Sequence, residues 1–200
     1  FLASGNSLMP VLREAEAPRD ASFSPDGKLI AYSDRNDLYV YDTAGKRTRR
    51  ITDDGAWNSV INGTTDWVYE EEFGLARAYA FSPDSRRIAY LRFDESEVPL
   101  MEMMRFDGKL YNQAYSFKYP KAGERNSTVE VWVCDLATGT RERIDTGGVT
   151  DQYIPRIGWT ALLFPPQPPP EYLRGDPLRA QRRPAHDLRR TLAAIRRARG

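Results

Sequence analysis

Three consecutive glutamates, Glu70, Glu71 and Glu72, are the residues of this 200-residue sequence best suited to bind a cation. Neighbouring carboxylates repel one another unless a cation lies among them. In a strand, adjacent side chains point to opposite faces, whereas in a short helix Glu71 and Glu72 differ by about 100° and can converge on one ligand. Thr65 or Asp66 could provide the N-cap of such a helix.

Bulky rings flank the triplet at Trp67, Tyr69 and Phe73. Aromatic rings beside carboxylates form a cleft that suits an ammonium group. A run of acids is equally typical of a solvated surface. From the residues alone both interpretations, a solvated face and an ammonium site, therefore stay open.

Other kinds of chemistry lack the residues that they need. His186 is the only histidine and Cys134 the only cysteine, so a metal site of several His and Cys ligands has no material and we expect neither a metal nor a cofactor. The chain contains no Gly-x-Ser-x-Gly and no histidine before His186, so we expect no catalytic residue in it. One cysteine also excludes an internal disulfide, and no apolar run approaches the 18 residues of a membrane span.

The glutamates lie between two copies of an internal repeat. Residues 21–32 recur at residues 79–90, and the serine of the shared Phe-Ser-Pro-Asp string moves by 58 positions, from Ser24 to Ser82. In each copy an apolar strand ends at Phe-Ser, a Pro-Asp turn follows, and a second strand leaves the turn. The repeat therefore predicts two β-hairpins.

Alternating patterns after each hairpin predict two further strands, at residues 37–42 and 47–52 in the first copy and at 129–135 and 141–145 in the second. Four-stranded meanders that are apolar on both faces must stack on similar sheets, which favours a β-propeller over the alternative β-sandwich. Residues 153–159 are predicted to begin a third unit. We expect an all-β chain that forms a partial β-propeller, with the glutamates on a short inserted helix and a long insert at residues 92–128.

The last 40 residues differ in composition from the rest. Residues 161–200 contain nine Arg, no Lys, three acids and seven of the fourteen prolines. Three interpretations compete: a basic arm for an anionic partner, an amphipathic helix over about residues 185–198, and translation out of frame. We assign residues 1–160 to the propeller and treat residues 161–200 as an out-of-frame or disordered tail.

Five ordered motifs resemble the N-terminal propeller of dipeptidyl peptidase IV-type serine peptidases. They are Asn62-Gly63 with Asp66-Trp67-Val68-Tyr69-Glu70-Glu71-Glu72, then Ala80-Phe81-Ser82-Pro83-Asp84, Ile88-Ala89-Tyr90, Phe93-Asp94-Glu95-Ser96-Glu97-Val98-Pro99 and Tyr119-Pro120-Lys121-Ala122-Gly123. The resemblance covers roughly residues 21–160.

The resemblance implies an eight-bladed propeller that caps an α/β-hydrolase domain, in an enzyme that releases N-terminal dipeptides with Pro or Ala second. It implies that Glu71 and Glu72 bind the free α-ammonium of the substrate, that Glu70 is structural, and that Trp67 and Tyr69 hold the helix on the propeller. The motifs at residues 97–99 and 119–123 receive no catalytic role.

The expected partners follow from the same resemblance. They are peptide N-termini, a C-terminal hydrolase domain beyond this chain and a second copy in a homodimer, in a parent that is periplasmic, secreted or membrane-anchored and faces outward; nucleic acid is not expected. The chain is then a fragment of a serine-type dipeptidyl peptidase. The alternative is a non-enzymatic propeller that offers a binding or oligomerisation surface.

Overall fold

The structure, a computed structural model, describes residues 2–4, 7–9, 11–12 and 15–160. Chain contacts place Phe1–Trp159 in one compact unit. The predicted tail at residues 161–200 lies outside the described residues. Within them, no helix is long and apolar enough to cross a membrane.

The first half of the unit forms a two-stranded and a four-stranded antiparallel sheet. The four-stranded sheet is a simple meander, with strand order β3-β4-β5-β6. The strands are β1 (Leu2–Ser4), β2 (Ser7–Met9), β3 (Arg19–Phe23), β4 (Leu29–Asp34), β5 (Asp37–Asp42) and β6 (Arg47–Arg50).

The second half contains a five-stranded sheet, a separate hairpin and one helix. Strand order is β13-β12-β9, and both β8 and β7 pair with β9, at different positions along it. The hairpin pairs β10 with β11. The elements are β7 (Val60–Asn62), α1 (Trp67–Phe73), β8 (Tyr79–Phe81), β9 (Arg87–Asp94), β10 (Leu100–Arg105), β11 (Gln113–Lys118), β12 (Thr128–Asp135) and β13 (Arg141–Ile144).

The repeated Ser-Pro-Asp turns form matching hydrogen-bond networks. The Ser24 hydroxyl donates to Asp26 at 2.7 Å and accepts the Leu29 N–H at 2.9 Å. In the second copy the Ser82 hydroxyl donates to Asp84 at 2.6 Å. Each serine thus closes its turn, because one hydroxyl serves both a carboxylate and the first N–H of the next strand.

The two sheets pack face to face through a shared core. Its buried side chains come from both sheets: Ala31, Leu38, Val40, Ile51, Tyr79, Ile88, Tyr90 and Cys134. The Tyr79 hydroxyl crosses the interface, donating to the Ala31 carbonyl at 2.7 Å and accepting from the Ser22 hydroxyl at 3.1 Å. Burial of apolar faces between the sheets is what such meanders require, since a lone meander would expose them.

The opposite face of the five-stranded sheet is covered by α1 and by residues 154–157. The cluster there consists of Ile61, Tyr69, Ala78, Leu91, Phe93 and Val129, with Ile154 and Ile157 packed against it. Residues 153–159, which were predicted to begin a third unit, form no strand. Ile154 and Ile157 pack on this face, and Trp159 donates its indole N–H to the Ala80 carbonyl at 2.9 Å.

The all-β prediction is confirmed, with one short helix. All eight strands predicted for the two meanders are present. The long insert is shorter than predicted, because β9 continues to Asp94, and residues 95–127 carry the hairpin of β10 and β11, which the sequence pattern did not reveal.

Candidate functional site

The helix α1 begins and ends at residues that fix its short length. Asp66 is the N-cap, and its carboxylate accepts the Tyr69 N–H at 3.0 Å. Thr65, the other candidate cap, donates its hydroxyl to the Leu75 carbonyl at 2.6 Å instead. Gly74 ends the helix at φ 61°, a left-handed conformation that favours glycine.

Asp66 is also tied to the far side of the insert. It is buried, and the Ser127 hydroxyl donates to its second carboxylate oxygen at 2.5 Å. Burial raises the pKa of Asp66, while the bonds from Ser127 and from the Tyr69 N–H oppose that rise. One carboxylate therefore joins the start of α1 to the strand that follows the insert.

Tyr69 lies on the inner face of α1 and is fully buried. Its ring packs edge-on against Phe93, with centroids 4.8 Å apart, and against Phe73 at 5.2 Å. Its hydroxyl accepts the Ile154 N–H at 2.7 Å. Burial raises the pKa of Tyr69 to about 12, so the hydroxyl stays neutral and holds α1 to the segment that covers the sheet.

Glu70 is neutralised by a cation from the first sheet. Both of its carboxylate oxygens accept from the Arg19 guanidinium at 3.0 Å. Both side chains are about half exposed, so the pair orients the helix more than it stabilises the fold. Arg19 was missed by the sequence analysis, because it lies 51 residues from Glu70 with no motif to connect them.

Glu71 and Glu72 face solvent. Neither carboxylate has a hydrogen bond or an ion pair with any other described residue, in contrast to Glu70. The structure thus separates the triplet into one paired carboxylate and two adjacent unpaired ones. Two unpaired carboxylates on consecutive helical positions can bind a cation that comes from outside this part of the chain.

Glu72 borders a cleft of about 480 Å³ between α1 and the segment after β11. Trp67 forms part of its wall and packs edge-on against Tyr119, with ring centroids 4.3 Å apart. Tyr153 also lines the cleft. The rings and the carboxylate of Glu72 are thereby brought to one place, whereas Tyr69 lies on the opposite, buried side of the helix.

A second buried carboxyl lies near the N-cap and was not singled out from the sequence. Glu95 follows β9, is 6% exposed and has no hydrogen bond to its carboxyl from the described residues. Burial, and then the charges of Asp66 and Asp94, raise its pKa to about 7, which the charge of Lys118 only partly opposes. The motif at residues 93–99 contains three acids, Asp94, Glu95 and Glu97, and the sequence gave no signal of which one is buried.

With this geometry established, comparison with known proteins gives a family. The family described as "Dipeptidyl peptidase IV (DPP IV) N-terminal region" matches residues 3–162. The chain belongs to this family. The resemblance inferred from the five sequence motifs is thus confirmed, over a slightly longer stretch than those motifs covered.

Several relatives of this DPP IV N-terminal region are known. Dipeptidyl peptidase 4 of Sus scrofa is 40% identical over 120 residues, covering 58% of this chain and 16% of its own length. Inactive dipeptidyl peptidase 10 of Rattus norvegicus is 34% identical over 146 residues, covering 70% and 18%. The crystal structure of Porphyromonas gingivalis dipeptidyl peptidase 4 superimposes with a TM-score of 0.72 at 39% identity, covering 76% of this chain and 22% of that one.

This DPP IV N-terminal region spans only about one sixth of the length of the Sus scrofa relative and about one fifth of the fungal dipeptidyl peptidase 4 of Trichophyton rubrum. Most of the length of these relatives therefore lies outside the matched stretch. What the described residues provide is the α1 carboxylates and the cleft beside them.

Proposed function

We propose that this chain is the substrate-anchoring part of a serine-type dipeptidyl peptidase, and that Glu71 and Glu72 bind the α-ammonium of a peptide N-terminus. The observation that carries the proposal is the contrast within the triplet: Glu70 is paired with Arg19, whereas Glu71 and Glu72 are unpaired and exposed. Membership in the DPP IV N-terminal family supports it.

The chemistry of an ammonium group fits two carboxylates. An α-ammonium offers three N–H donors and one positive charge, and two carboxylates can accept most of these donors in charge-assisted bonds. An acetylated N-terminus has neither the charge nor the donors. Two fixed acids therefore select free N-termini, and a helix that blocks further extension sets the length of the product at two residues.

Positioning depends on how α1 is held. Asp66 is bonded to Ser127, Tyr69 to Ile154 and Glu70 to Arg19, so three separate segments fix a helix of seven residues. In this proposal Glu70 and Tyr69 are positioning residues, and Trp67 packs the exposed side of the helix against Tyr119. The unpaired carboxylates then have a defined orientation before the ligand arrives, which lowers the entropic cost of binding.

Peptide hydrolysis requires a nucleophile and a base that this sequence does not combine in a recognisable motif. We therefore place the reaction, release of N-terminal dipeptides with Pro or Ala second, on an α/β-hydrolase domain that works with this chain in the whole protein. The two stacked meanders would be blades of the eight-bladed propeller that caps this domain.

The direct test is binding of a dipeptide amide to the full chain. Ala-Pro-amide and N-acetyl-Ala-Pro-amide are titrated by ligand-observed NMR, which tolerates weak affinity. We expect the free amine to bind at least tenfold more tightly. Because Glu71 and Glu72 are exposed, Glu71→Gln or Glu72→Gln should each weaken binding only about two- to fivefold, the range of exposed ion pairs, and the double variant should remove the preference for the free amine.

Glu102→Gln is the matched control, since Glu102 is an exposed acid on β10 away from α1. It should leave both affinities unchanged. If the double variant of α1 still prefers the free amine, the ammonium does not bind at these carboxylates and the proposal fails.

A second function, a binding or oligomerisation module, is favoured by a different observation. The hairpin of β10 and β11 carries six large apolar side chains that are more than half exposed: Leu100, Met103, Met104, Phe106, Leu110 and Tyr111. Such a surface typically marks an association site. A relative that is 34% identical is named as inactive, so membership in the family does not by itself bring catalysis. We propose the homodimer expected from the sequence as the occupant of this surface.

A further inference from the structure

Glu95 is a buried acid that the anchoring of an ammonium does not use. It directly follows β9 and is only 6% exposed. Its N–H donates to the Ser59 carbonyl at 2.8 Å, and its own carbonyl accepts the Val98 N–H at 3.0 Å. These two backbone bonds keep the residue in the turn after β9. A carboxyl that is buried in this way needs either a partner or a proton.

The surroundings of Glu95 favour its neutral form. No described residue donates a hydrogen bond to its carboxyl. The charged groups that face it are Asp66 at the N-cap of α1, Asp94 at the end of β9 and Lys118 at the end of β11. The ammonium of Lys118 also donates to two backbone carbonyls of the turn, so it is shared. Burial and two acids therefore outweigh one base.

Asp66 is the neighbour that connects Glu95 to the helix. Its carboxylate accepts the Tyr69 N–H at 3.0 Å and the Ser127 hydroxyl at 2.5 Å, and both bonds are stronger when the carboxylate is charged. A second negative charge nearby raises the free energy of that charged form. Ionisation of Glu95 therefore disfavours the form of Asp66 that holds the start of α1.

We propose that Glu95 is a positioning residue for α1: its neutral form leaves Asp66 able to cap the helix, and its ionisation weakens that cap. Ionisation then also weakens ammonium binding at Glu71 and Glu72. This last step rests on the proposed function, because it requires that an ammonium binds these carboxylates. The first step concerns the chain alone, so it can be tested without a peptide. Since burial raises the pKa of Glu95 to about 7, the change falls between pH 5 and pH 8.

The direction of the effect separates positioning from simple attraction. An ionised Glu95 adds a negative charge, which by attraction alone would make an ammonium bind more tightly as pH rises. Loss of the cap acts in the opposite direction. A helix of seven residues that opens at its first turn no longer holds two carboxylates in a fixed orientation, so the entropic cost of binding increases. Positioning therefore predicts weaker binding at pH 8.

Hydrogen exchange of the Tyr69 N–H tests the cap directly, because this N–H donates to Asp66. Exchange is compared in the full chain and in Glu95→Gln at pH 5 and at pH 8, so that the intrinsic effect of pH on exchange cancels. We expect equal protection at pH 5 and about fivefold lower protection in the unmodified chain at pH 8, the low end of coupling between sites. The Thr43 N–H, bonded to the Lys28 carbonyl in the first sheet, is the internal reference and should not differ.

Titration of Ala-Pro-amide at the same two pH values tests the effect on binding. The ratio of the affinities of the unmodified chain and Glu95→Gln removes the titration of the peptide amine. This ratio should be about one at pH 5, and at pH 8 the unmodified chain should bind about fivefold more weakly. Glu97→Gln is the matched control, since Glu97 is exposed and paired with Arg125, and it should behave as the unmodified chain. If Glu95→Gln does not fold, the fall in Tyr69 protection relative to Thr43 between pH 5 and pH 8 in the unmodified chain decides the matter.

The outcomes separate this inference from the proposed function. Equal protection of the Tyr69 N–H in both proteins at pH 8, or an affinity ratio of one there, would overturn the positioning role of Glu95 and leave ammonium anchoring intact. Tighter binding by the unmodified chain at pH 8 would indicate attraction alone and would also overturn it. Equal affinity for Ala-Pro-amide and its acetylated form would overturn ammonium anchoring, and the exchange of the Tyr69 N–H would then decide by itself whether Glu95 controls the cap.

Discussion

At the scale of single residues, Glu95 affects how the stability of the chain depends on pH, whereas the exposed acids around it do not. Its carboxyl is buried close to Asp66, the N-cap of α1. Lys118, the nearby cation, donates to the Ser96 and Val98 carbonyls at 2.8 Å and 2.7 Å, so its ammonium is engaged by the turn around Glu95. Two buried acids near each other cannot both ionise without cost, and burial together with the charge of Asp66 raises the pKa of Glu95 to about 7.

The buried carboxyl predicts how stability depends on pH. The pKa of Glu95 rises from 4.5 to about 7 on folding. Between these values the unfolded chain releases the proton and the folded chain retains it, so stability falls as pH rises from about 4.5 to 7 and this group adds no further change above. Glu95→Gln should therefore be more stable than the unmodified chain at pH 8, by at most about 3 kcal/mol, and similar to it at pH 4.

Chemical denaturation from pH 4 to pH 8 measures this difference. Glu97→Gln is the control, since Glu97 lies two positions away but is exposed and paired with Arg125 on the surface. The stability of Glu97→Gln should depend on pH in the same way as that of the unmodified chain. Parallel stability curves for Glu95→Gln and the unmodified chain would show that Glu95 is ionised in the folded state at neutral pH.

At the scale of elements, α1 exists because its ends are defined. A seven-residue helix is too short to be stable by itself in water, so it depends on its caps and on packing. Gly74 supplies the left-handed residue at the C-terminus, and a methyl group added there would meet no other atom within 4 Å. Any cost of replacing Gly74 is thus conformational and not steric.

Gly74→Ala should accordingly destabilise the chain by about 1–2 kcal/mol, the cost of a left-handed alanine. Gly74→Asn is the matched variant and should cost less, because asparagine tolerates this conformation better. Denaturation monitored by fluorescence gives both values. Equal losses for alanine and asparagine would indicate that the side chain, and not the backbone, causes the effect.

Elements with local signals could be predicted from the sequence, and elements set by distant contacts could not. The Ser24 and Ser82 turns could be predicted because hydroxyl, proline and carboxylate lie within a few residues. The helix was predicted from the triplet, with Thr65 or Asp66 as its cap, and the structure places Asp66 there. The pairing of Arg19 with Glu70 and the packing of residues 154–157 on the sheet depend on distant contacts, which no local pattern encodes.

At the scale of the whole molecule, the hairpin of β10 and β11 carries apolar side chains that the rest of the described chain leaves exposed. The hairpin of β10 and β11 pairs with no other sheet among the described residues. A two-stranded hairpin is marginally stable alone, so exposed apolar residues on it gain from a partner. A homodimer would supply that partner without any further component, since the same hairpin is present in each copy.

The tip of the hairpin offers the sharpest test of this surface, because Phe106 is 79% exposed and Leu110 is 90% exposed. Light scattering coupled to size exclusion should give a mass above 22.8 kDa for the full chain. The double variant Phe106→Ser with Leu110→Ser should shift it to the monomer, while Phe23→Ser, which changes an exposed apolar residue on β3, should not. Neither Phe106 nor Leu110 packs into a core, so loss of self-association in the double variant would reflect the contact surface alone. A monomeric full chain, or a double variant that associates as strongly as the unmodified chain, would remove the hairpin as the dimer contact.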